Sequence, residues 1–213
     1  IGAAWVTWSS HDFNSTQWEE RALTRVQYRV PTGTSFVELA IAPNSLVGGN
    51  SYTFVLSATY SSDPAQLDKY EEITVLMNEA PYGGSVVSTP TTGTALNTSF
   101  LFETTDWTDD PDDIPLQYII STYADESKKA MVQTKDATTY VETTVGQGLE
   151  TNAYKVYVEV EAYDIYGAMD FATTNITVSP MDTSLLVNAA DSALEDAFAD
   201  SDPVAVSTVV NAV

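Results

Sequence analysis

The chain has 213 residues, of which 44% are hydrophobic and 11% aromatic, and its 30 acidic and 8 basic side chains give a net charge of −22. This charge excludes a nucleic-acid binder and a protein of anionic membrane surfaces, because both ligands would repel it. The apolar content is enough to fill a core, so the composition predicts a folded protein with an acidic surface.

Several kinds of chemistry are excluded by the residue types that are missing. The sequence has no cysteine and one histidine, His11, which excludes thiol catalysis, a disulfide framework and a Cys/His zinc site. A Ser-His-Asp triad would have to use His11, and no nucleophile-elbow motif accompanies it. No run approaches the roughly 18 apolar residues of a membrane span. The chain begins at Ile1 without an initiator Met, and we expect it to be a piece of a longer protein.

Alternation of apolar and polar residues predicts strands through the first 80 positions. Residues 25–30 alternate as a half-buried strand does, and the turn at 31–34 predicts that 36–41 is its hairpin partner. The same pattern predicts strands near 52–60 and 71–77.

The next hundred residues carry a denser series of strand patterns. They predict seven strands, at 85–89, 98–104, 116–123, 130–134, 138–145, 154–163 and 170–178. Seven short strands in about 100 residues are typical of an antiparallel immunoglobulin-like sandwich.

A short motif recurs in the two halves. Tyr52 and Tyr154 each follow a glycine-containing turn and each begin an alternating strand, 102 positions apart. This pattern predicts a tyrosine corner, in which the hydroxyl bonds back to the turn. We therefore predict domains at 1–79, an N-terminally incomplete first sandwich, and at 80–180, a second sandwich, with a helical appendage at 181–213.

The helical pattern begins after Pro180. Asp182 or Thr183 is placed to cap a helix whose apolar positions have helical spacing, namely Leu186, Ala189, Ala190, Ala193, Leu194, Ala197 and Phe198. Asp202 and Pro203 predict a second helix start, followed by a stripe formed by Val206, Val209, Val210 and Val213, although these valines also suit a strand.

The densest polar feature is an acidic loop at 106–113, between two predicted strands. Ca²⁺ binds six to eight oxygen ligands in flexible geometry, so crowded carboxylates on a loop suit it. The candidate ligands are Asp106, Asp109, Asp110, Asp112, Asp113 and, from the end of a later strand, Asp164. The spacing does not match an EF-hand loop. The other interpretation is a solvated surface loop without a cation.

Carbohydrate chemistry is a second possibility of a different class. Paired carboxylates in a cleft hydrolyse glycosides, but a small sandwich offers no deep cleft. A carbohydrate-binding module would stack sugar rings on exposed tryptophans, here Trp5, Trp8, Trp18 or Trp107, whereas core packing is the commoner role of tryptophan.

Three sequons and a Pro/Thr stretch indicate an extracellular protein. The sequons begin at Asn14, Asn97 and Asn175, and each predicts an exposed glycan acceptor in a secreted chain. Residues 89–94 have the composition that O-glycosylation favours outside the cell.

Two sets of motifs resemble known families. One set resembles the receptor-for-egg-jelly (REJ) module of polycystin-type extracellular proteins. It consists of residues 78–86, Pro90, Gly93–Leu96 with Phe100, Trp107–Asp110 and Pro115–Tyr118. Residues 112–118 and 160–167 are also similar to the strand ends of cadherin-like repeats, which bind Ca²⁺ at domain junctions. Neither family is enzymatic.

The REJ resemblance implies fold, function and location together. The implied fold is mostly β, two tandem immunoglobulin- or fibronectin-III-like antiparallel sandwiches with a short C-terminal helical segment. The implied protein is a non-enzymatic structural and adhesive module, a fragment of a large glycosylated protein of the cell surface, cilium or flagellum. It would need no cofactor apart from Ca²⁺ at the acidic loop. Its partners would be other protein domains or copies of itself, besides its own N-linked glycans.

Overall fold

The protein divides into two compact units, residues 1–79 and residues 80–213. The structure, a computed structural model, describes residues 4–31, 33–34, 36–60, 69–199, 201, 203, 205–206 and 209.

The first unit contains four described strands in one antiparallel sheet of order β2-β1-β3-β4. The strands are β1 (Ala4–Ser10), β2 (Gln27–Val30), β3 (Ser51–Tyr60) and β4 (Lys69–Leu76). Helix α1 (Ser15–Arg21) follows β1. Its Trp18 forms a core with Tyr52 and Phe54 of β3.

This unit differs from the sequence-based prediction at β1, at α1 and at residues 36–41. Strand β1 was not predicted, although its burial alternates and Val6 is buried. Residues 36–41 were predicted to pair with 25–30 as a hairpin, and this is wrong. The segment is irregular, and its carbonyl at Ala40 accepts from Leu23 N–H, while Ile41 bridges Ala22. From this irregular segment Leu39 and Ile41 pack on the core beside Trp18. Strand β2 pairs with β1 rather than with residues 36–41.

The second unit is a two-sheet sandwich. Its strands are β5 (Ser85–Thr89), β6 (Thr92–Thr94), β7 (Ser99–Thr105), β8 (Gln117–Tyr123), β9 (Ala130–Asp136), β10 (Tyr140–Thr144), β11 (Lys155–Tyr163) and β12 (Met169–Ser179). One sheet has the order β10-β7-β5, and the other has the order β6-β12-β11-β8-β9. All seven predicted strands of this region are present, and the mostly β, immunoglobulin-like fold class is confirmed. The short β6, which pairs in parallel with β12, was not predicted.

Alternation along the strands builds the core between these sheets. In β11 the inward residues Val156, Val158, Val160 and Ala162 are buried, while the intervening side chains face outward. Phe100 and Phe102 of β7 are fully buried opposite them in the same cluster. Burial of such side chains contributes roughly 1.5–3 kcal/mol each, so this core stabilises the unit without a disulfide.

The tyrosine corner is present at Tyr52, whose hydroxyl accepts from Val47 N–H at 2.9 Å. At Tyr154 the turn is held by the backbone, because Tyr154 N–H donates to Leu149 O at 2.9 Å. An added Cβ on Gly148 would lie 2.1 Å from the Tyr154 carbonyl carbon, so a side chain does not fit there.

The C-terminal segment is helical as predicted. Helix α2 (Thr183–Ala199) begins directly after Asp182, and its Ala190 and Ala197 are buried. Val206 and Val209 of the predicted second stripe are also helical, and Val210 and Val213 lie outside the described residues.

Candidate metal centre and other functional residues

The acidic loop at 106–113 connects β7 to β8 and turns back on itself before Asp113. Asp113 N–H donates to Asp110 O at 3.0 Å, and Asp110 N–H donates to Asp109 Oδ1 at 2.9 Å. These local bonds turn Asp113 inward, and it is 7% exposed.

A second loop brings Asp164 to the same place. It joins β11 to β12, and Asp164 Oδ1 accepts from Tyr166 N–H at 2.8 Å and from Ala168 N–H at 2.9 Å. Gly167 closes the turn at φ +88°, a conformation that favours glycine. Ile165 N–H donates to Asp113 O at 3.2 Å, so the two loops are directly bonded.

Three of the six predicted ligands come together. One carboxylate oxygen from each of Asp109, Asp113 and Asp164 lies within 4.8 Å of the other two. Asp164 is 2% exposed, and Asp109 is half-buried. The Asp109 Oδ2 atom is buried and has no hydrogen-bond partner within the described chain.

The electrostatics of this cluster are entirely repulsive at Asp113. Burial raises the pKa of the Asp113 carboxyl, and the charges of Asp109, Asp110, Asp164 and Asp112 raise it further. Every charged group that shifts this pKa is a carboxylate, so the arrangement favours either a proton or a cation.

The other three predicted ligands lie outside the cluster. Asp106 has a left-handed backbone, with φ +67°, and its Oδ2 accepts from Thr105 Oγ1 at 2.9 Å. Asp110 and Asp112 are exposed, and they act on Asp113 only through their charge. Spacing along the loop placed all five carboxylates in one region, but it did not indicate which of them turn inward.

A polar network that the sequence analysis missed lies on the outer face of β11. The Lys129 ammonium bonds to Glu159 and to Glu161, the latter at 2.9 Å, and the Tyr163 hydroxyl donates to Glu161 Oε2 at 2.7 Å. Lys135 Nζ lies 3.9 Å from the centre of the Tyr163 ring. The shared parity of positions 159, 161 and 163 in an alternating strand was the signal for this network.

Most of the tryptophans pack inside. Trp18 is 4% exposed and its indole N–H donates to Trp8 O, while the half-buried Trp107 donates to Thr104 Oγ1 at 2.7 Å. Trp8 is half-buried with an indole nitrogen that has no described partner, and Trp5 is 47% exposed. His11 is exposed and lies 3.2 Å from Glu72 Oε1.

A cavity of about 370 Å³ lies in the first unit beside Trp8. Phe13 and Trp18 also line it, together with the polar side chains of Ser10 and Glu19.

The three sequon asparagines are exposed. Asn14 is the N-cap of α1, and its side chain accepts from Gln17 N–H at 3.0 Å. Asn97 lies in the turn before β7, and Asn175 lies on β12 opposite Tyr157.

In the part of the chain that the structure describes, no helix is both long enough and apolar enough to cross a membrane. No curated protein matches the sequence.

Three solved structures align with most of this chain at low identity. Domains A168–A170 of titin align at a TM-score of 0.36 and 14% identity, covering 82% of this chain and 54% of that one. The FN1–FN3 domains of chicken CNTN1 align at a TM-score of 0.34 and 13% identity, covering 83% of this chain and 56% of that one. A 1.5-MDa bacterial ice-binding adhesin aligns at a TM-score of 0.40 and 12% identity, covering 84% of this chain and 54% of that one. The chain thus spans little more than half of each of these structures.

The family comparison covers almost the whole chain. The REJ domain matches residues 2–212, which includes the acidic loop, the Asp164 turn and helix α2. The chain therefore belongs to the REJ domain family.

Proposed function

We propose that this chain is a non-enzymatic, extracellular structural and adhesive module, a folded segment of a large glycosylated surface protein. Membership of the REJ family supports this proposal. The finer location on a cilium or flagellum rests on the same resemblance. In this role the sandwich acts as a spacer, and its exposed loops contact other domains or copies of the protein.

The observation that carries the adhesive role is an exposed apolar surface at the two bonded loops. Ile114, Ile165 and Tyr166 are 56%, 52% and 70% exposed, and the bond from Ile165 to Asp113 holds their loops together. We call these three residues the loop-end surface. Loops on a rigid scaffold commonly carry binding, and exposed apolar side chains favour a protein partner.

Bead aggregation tests this role with a second copy as the partner. Beads coated with the chain, purified through a secretory pathway, are expected to aggregate at constant Ca²⁺ and moderate salt, and excess soluble chain should disperse them. Replacing the loop-end surface with serine should abolish aggregation, whereas Val87→Ser, at an apolar position of β5 that is 50% exposed, should not. Beads that stay dispersed under all conditions contradict self-adhesion.

A carbohydrate-binding role is the second candidate, and the cavity beside Trp8 supports it. Its aromatic wall and its serine and glutamate side chains are groups that sugars contact. Soluble polysaccharides should then quench tryptophan fluorescence in the wild type and in Trp5→Phe, but less in Trp8→Phe. Unchanged fluorescence across polysaccharides of different composition counts against this role.

A further inference from the structure

We propose that Asp109, Asp113 and Asp164 form a Ca²⁺ site that joins the β7–β8 loop to the β11–β12 loop of the second unit. The site goes beyond the proposed adhesive role and does not depend on it. Its first support is the geometry, with three carboxylate oxygens from two bonded loops within 4.8 Å of one another.

The second support is the state of the Asp113 side chain. It is more than nine-tenths buried, and none of the described residues gives its carboxylate a hydrogen bond or a positive charge. A buried carboxylate without either partner is costly, and native structures rarely retain one. The buried, unpartnered Asp109 Oδ2 lies in the same cluster. The buried Asp109 Oδ2 and the Asp113 carboxylate therefore lie in one acidic cluster, where a cation would compensate both.

The ligand type favours Ca²⁺. Ca²⁺ binds six to eight oxygens in flexible geometry at about 2.3–2.6 Å, and three carboxylate oxygens within 4.8 Å of one another can be ligands of one such ion. Mg²⁺ requires near-octahedral geometry and loses its waters reluctantly, so it usually binds through one or two carboxylates rather than three. Three carboxylates leave several coordination positions, which water or backbone carbonyl oxygens would fill.

Thermal unfolding of the whole chain tests the site. At a hundredfold excess of Ca²⁺ over its dissociation constant, the unfolding temperature of the second unit should rise by about 5–10 °C relative to chelator at equal ionic strength. Mg²⁺ at the same concentration should give a much smaller rise. Asp113→Asn should abolish the rise, whereas Asp112→Asn, the same charge change at the exposed neighbour, should keep it.

Comparing the unfolding temperatures of wild type and Asp113→Asn in chelator distinguishes a cation site from an aspartate that only stabilises the fold. Without Ca²⁺, Asp113→Asn should unfold at a temperature at least as high as the wild type, because it removes a buried repulsion. With Ca²⁺ the order should reverse. An Asp113→Asn variant that is less stable in both conditions, or a wild type that does not respond to Ca²⁺, overturns the proposal. If Asp113→Asn does not fold, the same comparison is made with Asp109→Asn, since Asp109 is only half-buried.

Discussion

Trp107 occupies the space that a side chain at position 84 would need. A Cβ added to Gly84 would lie 2.0 Å from Cδ2 and Cε2 of the Trp107 ring. The ring is in turn held by its hydrogen bond to Thr104 Oγ1. The turn after the domain boundary and the start of the acidic loop are therefore packed against each other.

Gly84→Ala is expected to destabilise the second unit by about 1–3 kcal/mol, because the indole ring must move from a packed position. Denaturant unfolding measures the loss. The matched comparison is the double variant Gly84→Ala with Trp107→Leu, in which the smaller side chain makes room for the new methyl group. The two effects should therefore be less than additive. Strict additivity would show that the overlap is not the cause.

Tyr52→Phe is expected to cost about 1–2 kcal/mol of the unfolding free energy of the first unit, because it leaves Val47 N–H without its acceptor. Tyr154→Phe is the matched control. No described residue bonds to the Tyr154 hydroxyl, so this change should be close to neutral. Equal losses in the two variants would contradict the tyrosine corner as the source of the effect.

The network on β11 predicts a pH-dependent stability. Burial raises the pKa of Glu161, but its hydrogen bonds from Tyr163 and Lys129 and the Lys129 charge outweigh burial, so the net pKa lies below the ordinary value of 4.5. The stabilisation is therefore present above pH 4.5 and is lost as the pH falls through the lower, folded value. Glu161→Gln should cost about 1–2 kcal/mol at pH 7 and progressively less below pH 4.5.

Unfolding free energies of wild type and Glu161→Gln between pH 3 and 8 provide this measurement. Glu103→Gln, at an exposed position of β7, is the control and should change little at any pH. Lys129 contributes to stability at the alkaline end of the pH range. Burial lowers the pKa of Lys129, but its bonds to Glu159 and Glu161 outweigh burial, so the net pKa is raised. Its contribution should be lost only as the pH rises through that raised value. A pH-independent cost of Glu161→Gln would contradict the ion-pair account.

Expression through a secretory pathway should place glycans on Asn14, Asn97 and Asn175, since all three side chains are exposed. Glycopeptide mass spectrometry gives the occupancy.

In unglycosylated protein, Asn14→Gln should cost about 1 kcal/mol of unfolding free energy, because it removes the N-cap of α1. Asn97→Gln and Asn175→Gln should be nearly neutral, and an equal cost at all three positions would exclude the cap as the cause.

The second sandwich could be predicted strand by strand because its alternation is regular. In β11, each residue from Val156 to Ala162 that should face the core does so. Strand β6 could not be predicted, since its parallel pairing with β12 joins residues more than 80 positions apart. Residues 36–41 alternate like a strand, but Leu39 and Ile41 reach the core from an irregular segment, and this depends on the position of α1.

The acidic site shows the same division between local pattern and tertiary structure. Crowded aspartates in the loop and at the end of β11 indicated the region. Which carboxylates turn inward depends on the bond from Asp113 to Asp110 and on the contact between the two loops. Neither is encoded in the spacing, so Asp106, Asp110 and Asp112 could not be separated from the inward residues by sequence alone.

The most direct test of the cation site is isothermal titration of the chain with CaCl₂ after removal of bound metal. We expect binding at one site, which is lost in Asp113→Asn and retained in Asp112→Asn. Dissociation constants of extracellular calcium modules are about 0.1–1 mM, and a value in or below that range agrees with the account. Binding that is equally strong in the two variants, or no heat above that of dilution in the wild type at millimolar Ca²⁺, would contradict it.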